Sequence, residues 1–118
     1  MAEKDRGRMR EEDYFLVQRF HTEIIREIDP RFIIDQLFSS FLFDERDLEQ
    51  VRAEQERNGR TEGAKKIMEI LRHSGADAFS KFLVCLRRAG YVGLVTLLEN
   101  GQKVQRGMAV QEENKLTE

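Results

Sequence analysis

The stretch that decides the fold is residues 29–101, which reads DPRFIIDQLFSSFLFDERDLEQVRAEQERNGRTEGAKKIMEILRHSGADAFSKFLVCLRRAGYVGLVTLLENG. It holds five segments whose apolar residues recur with a helical period, separated by residues that commonly stop helices, such as Asn58-Gly59 and Ser74-Gly75. A sixth such segment precedes them. Because strand-like alternation is missing and the connections are short, the sequence predicts an all-α bundle of six antiparallel helices.

Capping residues place the first two helices. The first is expected over residues 14–28, with Asp13 as its N-cap. Asp29 is expected to cap the second, where Pro30 suits the first turn because its missing N–H costs nothing there. The second helix is apolar around most of its circumference, which predicts a central position.

The remaining four helices are also marked at their ends. Asp44 and Asp47 form a carboxylate variant of the capping box at the start of the third. Thr61 is expected to cap the fourth. Gly90 lies just past the fifth, where glycine is favoured, and Asn100-Gly101 is expected to end the sixth.

The eight phenylalanines are assigned mostly to the core because they fall at helical spacing. They are Phe15, Phe20, Phe32, Phe38, Phe41, Phe43, Phe79 and Phe82. Phe43 falls between two helices and is expected to close the corner that they form. A base-stacking platform would instead need exposed aromatics among basic residues.

The termini are polar. Residues 1–12 are predicted to be a flexible charged arm in which nothing can be buried. Residues 102–118 lack a sustained period and are predicted to be a flexible tail or linker. The helical domain is therefore expected over residues 13–101.

Composition argues against several classes of protein. The 20 basic and 22 acidic residues nearly cancel to a net charge of −2, so nucleic acid is not an expected partner. No apolar run is long enough to span a membrane. The single cysteine, Cys85, rules out an internal disulfide and fits a reducing compartment, so we expect a cytoplasmic location.

No catalytic set is recognisable. His21 and His73 belong to no metal-ligand motif, and Cys85 is best interpreted as a small buried hydrophobe. Nucleotide-binding and nucleophile-elbow motifs are missing. The sequence therefore predicts a protein without enzymatic activity, metal or cofactor.

The charged residues are the remaining indication of function, because residues of like charge cluster along the chain. The residues of a predicted basic face, on the first and fourth helices, are Arg19, Arg26, Arg60, Lys65 and Lys66. The residues of a predicted acidic face, on the second and third helices, are Asp35, Asp44, Glu45, Asp47 and Glu49. The alternative is a mixed surface that only keeps a small domain soluble.

One ordered series of segments consists of IDP at residues 28–30 leading into IDQL at residues 34–37, AKKIMEIL at residues 64–71, and GYVGL at residues 90–94. This series resembles the caspase recruitment domain (CARD) of the death-fold superfamily. The series is similar to the CARDs of apoptosome adaptors and of cytosolic RNA-helicase receptors. It implies six antiparallel helices in a Greek-key arrangement, with a first helix often bent or split.

The resemblance also implies homotypic CARD–CARD binding, with a basic face on helices one and four meeting an acidic face on helices two and three. Asp35 matches an acidic contact of adaptor CARDs, and Arg60 and Lys65 match basic contacts of an initiator-caspase CARD. His21 stands where that caspase CARD has an arginine. Arg19 and Arg26 are the available substitutes on the first helix.

The leading hypothesis is therefore a signalling module that binds other CARD-containing proteins, or itself, and assembles apoptotic or innate-immune complexes such as inflammasomes. Because both faces lie on one chain, the contact can propagate into oligomers or filaments. Two alternatives stay open at this point. One is a CARD-only decoy that blocks assembly. The other is a nucleic-acid binder that would use Arg6, Arg8, Arg10, Arg57, Arg60, Lys65 and Lys66.

Overall fold

The computed structural model describes the backbone of residues 6–117 and the side chains of residues 6–107. Within this part the chain is all-α, as predicted, and contains no strand. The seven helices are α1 (Glu11–Arg19), α2 (His21–Glu27), α3 (Pro30–Ser39), α4 (Glu45–Asn58), α5 (Arg60–Leu71), α6 (Ala78–Arg88) and α7 (Val92–Thr117). The count exceeds the expected six because the predicted first helix is divided into α1 and α2.

The helices share one core. Helices α4 and α5 form a tight hairpin joined by Gly59, whose φ of 97° favours glycine. Helix α5 also packs on α2 and α3, α3 packs on α6, and α7 packs on α1, α2 and α6. The fully buried side chains include Ile24, Ile33, Leu37, Ile67, Leu71, Phe79, Phe82 and Leu86. The predicted basic face requires the first and fourth helices to be neighbours, and α2, the second half of the first, does pack on α5, the fourth.

Two of the predicted caps are confirmed. The Asp29 carboxylate accepts a 3.0 Å hydrogen bond from the Arg31 N–H, one residue after Pro30. Asp44 and Asp47 form the reciprocal capping box of α4, with both hydrogen bonds at 2.9 Å. The Arg31 guanidinium, hydrogen-bonded to Asp29 at 2.7 Å, holds the pKa of that carboxyl below its usual value.

The predicted span of the first helix is wrong at its start, whereas its division into two is what the family resemblance implies. The helix begins at Glu11 rather than after Asp13, because the chain before it is already fixed by a 2.9 Å hydrogen bond from the Met9 N–H to the Arg72 carbonyl. It breaks at Phe20, where φ is −102° and ψ is 17°. The break lets α1 and α2 pack separately against α7.

The predicted cap at Thr61 is wrong as well. Helix α5 begins at Arg60, and Gly59 is its N-cap without any side-chain hydrogen bond. A single residue joins α4 to α5, so Thr61 already lies inside the helix. The Arg60 guanidinium instead donates to the carbonyls of Ile25 and Ile28, at 2.9 and 2.7 Å, and so joins the start of α5 to the end of α2.

The N-terminal arm contributes to the core, contrary to the prediction that nothing in it is buried. Met9 is only 5% exposed and belongs to the core. The Gly7 carbonyl accepts a 3.0 Å hydrogen bond from the Gly75 N–H. Arg6 forms an ion pair with Asp47 at 2.8 Å. Residues 1–5 of the predicted arm lie outside the described residues.

The last helix was predicted to end at Asn100-Gly101, and this is wrong. The helix continues to Thr117 through the segment predicted to be a tail. Gly101 is buried, and a Cβ there would lie 2.6 Å from Phe20 Cε2 and 2.9 Å from Leu16 Cδ1. The glycine therefore permits a close approach between α7 and the first two helices. It does not stop the helix.

Gly101→Ala is expected to lower the free energy of unfolding by about 1–3 kcal/mol, because overpacking outweighs the gain in helix propensity. Gly93 is the matched control: it lies in the same helix, and a Cβ there would meet nothing within 4 Å. Gly93→Ala should therefore stabilise the protein slightly. Urea denaturation followed by circular dichroism compares the two, and equal stabilisation by both would refute the close-approach argument.

The assignment of the phenylalanines to the core is wrong for half of them. Phe43, Phe79 and Phe82 are buried, and Phe20 is partly buried against the core. The exposed ones are Phe15, Phe32, Phe38 and Phe41. Helical spacing marks an apolar stripe, but α3 carries apolar residues on several sides and only some of these can face the core. Phe43 does close the corner before α4, as predicted.

Candidate functional site

Some residues of the predicted basic face are exposed, and others are partly buried or bind groups within the fold. Arg19, Arg26 and Lys65 are exposed on α1, α2 and α5. Lys66 is partly buried beside Lys65. Arg60 is also partly buried, and its guanidinium is committed to the carbonyls at the end of α2. Arg60 thus holds two helices together beneath this face.

Acidic residues lie among these cations. Lys65 pairs with Glu62 at 3.1 Å, and Lys66 pairs with Glu69 at 3.5 Å, both one turn apart on α5. Exposed pairs of this kind contribute only about 0.2–0.5 kcal/mol, so an external carboxylate can compete for either lysine. The basic face is therefore mixed in sign, with lysines that are weakly held.

The cations of the first two helices have different surroundings. The Arg19 guanidinium lies over the Phe20 ring, 5.5 Å from its centroid. Arg26 shares a small cleft with Glu23 and Glu27, at the start of α7. Arg26 therefore contributes less positive charge to this surface than its exposure alone indicates.

A larger cleft opens between α1 and α5, and we call it the α1–α5 cleft. Its volume is about 250 Å³. Its apolar lining comes from Met9, Tyr14, Val17 and Met68. Its polar lining comes from Gln18, His21, Lys65, Glu69, Arg72 and His73. The cleft lining thus combines apolar side chains with two permanent cations and one carboxylate.

Sequence reasoning missed Arg72 as part of this surface. Its guanidinium lies over the Tyr14 ring, 4.2 Å from the centroid, and so links the end of α5 to α1. A signal for it existed, because Lys65, Met68 and Arg72 follow the i, i+3, i+7 spacing of one helical face. Tyr14 lacked such a signal, since its role depends on the tertiary packing.

The predicted acidic face also divides into two groups. Asp35 on α3 and Glu45 and Glu49 on α4 are exposed. Glu45 and Glu49 are four residues apart and so share one side of α4. Asp44 is partly buried, because its side chain caps α4. Arg46 is exposed beside them, so this face too is mixed in sign.

Asp47 belongs to the interior. Its carboxylate accepts hydrogen bonds from both terminal nitrogens of Arg6, at 2.8 and 3.3 Å, and from the Asp44 N–H. Arg6 also donates to the Leu42 carbonyl at 3.0 Å. Asp47 therefore fixes the arm and the start of α4, beneath the exposed carboxylates.

An aromatic corner adjoins the acidic face, formed by Phe38 and Phe41 with Asp44 and Glu45. These residues line a shallow cavity of about 330 Å³, together with Arg6, Ser39 and Phe43. Phe41 is 88% exposed. Sequence reasoning placed Phe38 and Phe41 in the core and so missed this feature.

The described residues include no group of three His, Cys, Asp or Glu side chains that could hold a metal ion. Cys85 is buried as predicted, with the Ser40 hydroxyl 3.3 Å from its sulfur, and burial raises the pKa of its thiol. A raised pKa lowers the thiolate fraction at neutral pH and therefore the reactivity of the sulfur.

Two positions of the alternative nucleic-acid surface are engaged within the fold. Arg6 pairs with Asp47, and Arg60 binds backbone carbonyls. Neither guanidinium is therefore available to a phosphate without breaking an internal contact.

No helix in the described part of the chain combines the length and the apolar character needed to cross a bilayer.

Comparison with known proteins agrees with the architecture. A search of curated proteins returned no match. The family model of the caspase recruitment domain matches residues 9–102, which is most of the chain and includes Met9 and the first part of α7. Domains of this family are protein-interaction modules. The chain therefore belongs to the caspase recruitment domain family.

Proposed function

We propose that the protein is a homotypic CARD–CARD interaction module in which the basic face of one domain docks on the acidic face of another. The observation that carries the proposal is that the exposed members of the two predicted faces lie on different helices. Arg19, Arg26 and Lys65 lie on α1, α2 and α5, whereas Asp35, Glu45 and Glu49 lie on α3 and α4. Arg60 and Asp47 support these faces from beneath.

Charge complementarity is expected to select the partner and to speed the encounter. Each exposed pair is worth only about 0.2–1 kcal/mol, so affinity requires several pairs together with apolar burial. The internal pairs of Lys65 and Lys66 are weak enough to be exchanged for contacts with another domain. The acids interspersed on the basic face restrict which partners can dock without repulsion.

The contact is heterologous, since the two faces are formed by different residues of one chain. A heterologous contact leaves one unused face at each end of a pair, so assembly can continue into open oligomers or filaments. Within such assemblies, avidity compensates for weak individual contacts. We place this activity in cytoplasmic apoptotic or innate-immune signalling, with other CARD-containing proteins, or further copies of this chain, as partners.

Lys65→Glu is expected to abolish self-association while leaving the helical content unchanged. The substitution reverses an exposed charge of the basic face and creates repulsion with the carboxylates of the acidic face. Light scattering coupled to size-exclusion chromatography measures the molar mass, which should be that of a monomer. Added salt should weaken the wild-type assembly, because the Debye length falls from about 10 Å at 0.1 M to about 3 Å at 1 M.

Lys81→Glu is the matched control. Lys81 is an exposed lysine on α6, outside both faces, so the change in net charge is the same. An equal loss of assembly in Lys81→Glu would assign the effect to net charge and refute the docking of defined faces. Assembly that persists in Lys65→Glu would refute it as well.

A further inference from the structure

Phe41 has an unusual backbone conformation. It is the only non-glycine residue in the described part of the chain with a positive φ, at 63°. The conformation is fixed by hydrogen bonds from the Phe41 N–H to the Phe38 carbonyl, at 3.0 Å, and from the Phe43 N–H to the Leu37 carbonyl, at 2.9 Å. Positive φ is uncommon for bulky residues because Cβ crowds the backbone. Glycine would hold this turn with less strain.

The side chain buries little surface inside the domain that could offset this strain. Phe41 is 88% exposed, and neighbouring Phe38 is 49% exposed. Two adjacent phenylalanines on the surface, one of them in a strained turn, indicate a contact outside the monomer. The carboxylates of Asp44 and Glu45 border the same corner.

The α1–α5 cleft has the complementary properties. Its lining includes the apolar side chains of Tyr14, Val17 and Met68 and the cations Lys65 and Arg72. Its one carboxylate, Glu69, is paired with Lys66. Its volume is about 250 Å³. A cavity of about 150 Å³ can hold benzene, so a phenyl ring fits within this space.

We propose that the Phe41 ring of one copy inserts into the α1–α5 cleft of a second copy, with Glu45 placed against Lys65 and Arg72. The inference rests on the proposed function and adds the apolar anchor that the charged contact lacks. A second copy is the occupant because the same chain carries the ring with acidic neighbours and the cleft with basic neighbours. The ring and the cleft share no residue, so the contact is heterologous and can repeat.

Phe41→Gly tests the anchor without endangering the fold. Glycine adopts a φ of 63° without strain, so the variant should unfold at the same temperature as the wild type or at a higher one. Its self-association should weaken by at least about tenfold, as expected for removal of a buried aromatic anchor. Val92→Ser is the control: it removes another exposed apolar side chain, at the start of α7 and outside both surfaces.

The results separate the inference from the proposed function. Undiminished assembly of Phe41→Gly, beside loss of assembly in Lys65→Glu, would overturn the anchor and leave charge docking intact. Equal weakening by Val92→Ser would also overturn the anchor. A wild-type chain that stays monomeric at every concentration would overturn insertion into a second copy, while docking to a different CARD would survive.

Disulfide trapping tests the geometry directly. Gln18 is exposed and lines the cleft, and Cys85 can be replaced by alanine to remove the natural thiol. In that background, Ser39→Cys, at an exposed position of the aromatic corner that leaves the Phe41 ring in place, should form a mixed disulfide with Gln18→Cys on a second copy. It should not do so with Lys81→Cys, an exposed position on α6. Equal trapping with both partners, or none with Gln18→Cys, would contradict the insertion.

Discussion

Asp47→Ala is expected to lower the free energy of unfolding by about 3 kcal/mol, although an aspartate is usually a surface residue. The substitution removes the reciprocal half of the α4 capping box and the carboxylate that pairs with Arg6. The Arg6 side chain is only 25% exposed, so its charge would be left poorly compensated. A lost charge-assisted hydrogen bond and a weakened cap each add to the cost.

Urea denaturation followed by far-UV circular dichroism measures this effect. Asp35→Ala is the matched control because Asp35 is exposed on α3, and its loss should change stability by less than about 0.5 kcal/mol. A double-mutant cycle of Arg6→Ala and Asp47→Ala should give a clear coupling energy. The same cycle for the exposed pair of Lys65 and Glu62 should give almost none. Similar couplings for the two pairs would contradict the structural role of Asp47.

Helix starts that depend on local chemistry were predictable from the sequence. Asp29 with Pro30, and Asp44 with Asp47, satisfy the orphan N–H groups of the following turn by themselves, so neighbouring residues suffice to identify them. The buried positions of Cys85 and Phe43 were likewise predictable. The family resemblance, carried by an ordered series of segments, is confirmed by the match to residues 9–102.

Features that depend on distant parts of the chain were not predictable. The family resemblance implies a bent or split first helix, but no proline or glycine marks Phe20 as the position of the break. Asn100-Gly101 has the composition of a helix end, yet Gly101 serves as the contact point for Phe20. Met9 lies in a polar segment, and its burial goes with backbone hydrogen bonds that join the arm to Arg72 and Gly75.

The charged faces also include features that the sequence predicts and features that it does not. The sequence identifies which residues carry charge, but it does not distinguish Lys65, which faces solvent, from Arg60, which binds backbone carbonyls. Asp47 is separated from Glu49 by one residue and is buried for a structural purpose. The exposure of Phe41 could not be predicted from the sequence, because the apolar residues around it follow a helical period.

Complementation between two inactive variants tests the docking of opposite faces most directly. Asp35→Arg damages the acidic face and leaves the basic face intact, whereas Lys65→Glu does the reverse. Each variant alone should be monomeric, because each can offer only one competent face. When the two variants are mixed in equal amounts, the intact basic face of Asp35→Arg can dock on the intact acidic face of Lys65→Glu.

Light scattering on the mixture gives the decisive molar mass. We expect monomers for each variant alone and an assembly of at least two chains, containing both variants, once they are combined. A mixture that scatters as the average of its two separate components would contradict docking between the basic and acidic faces.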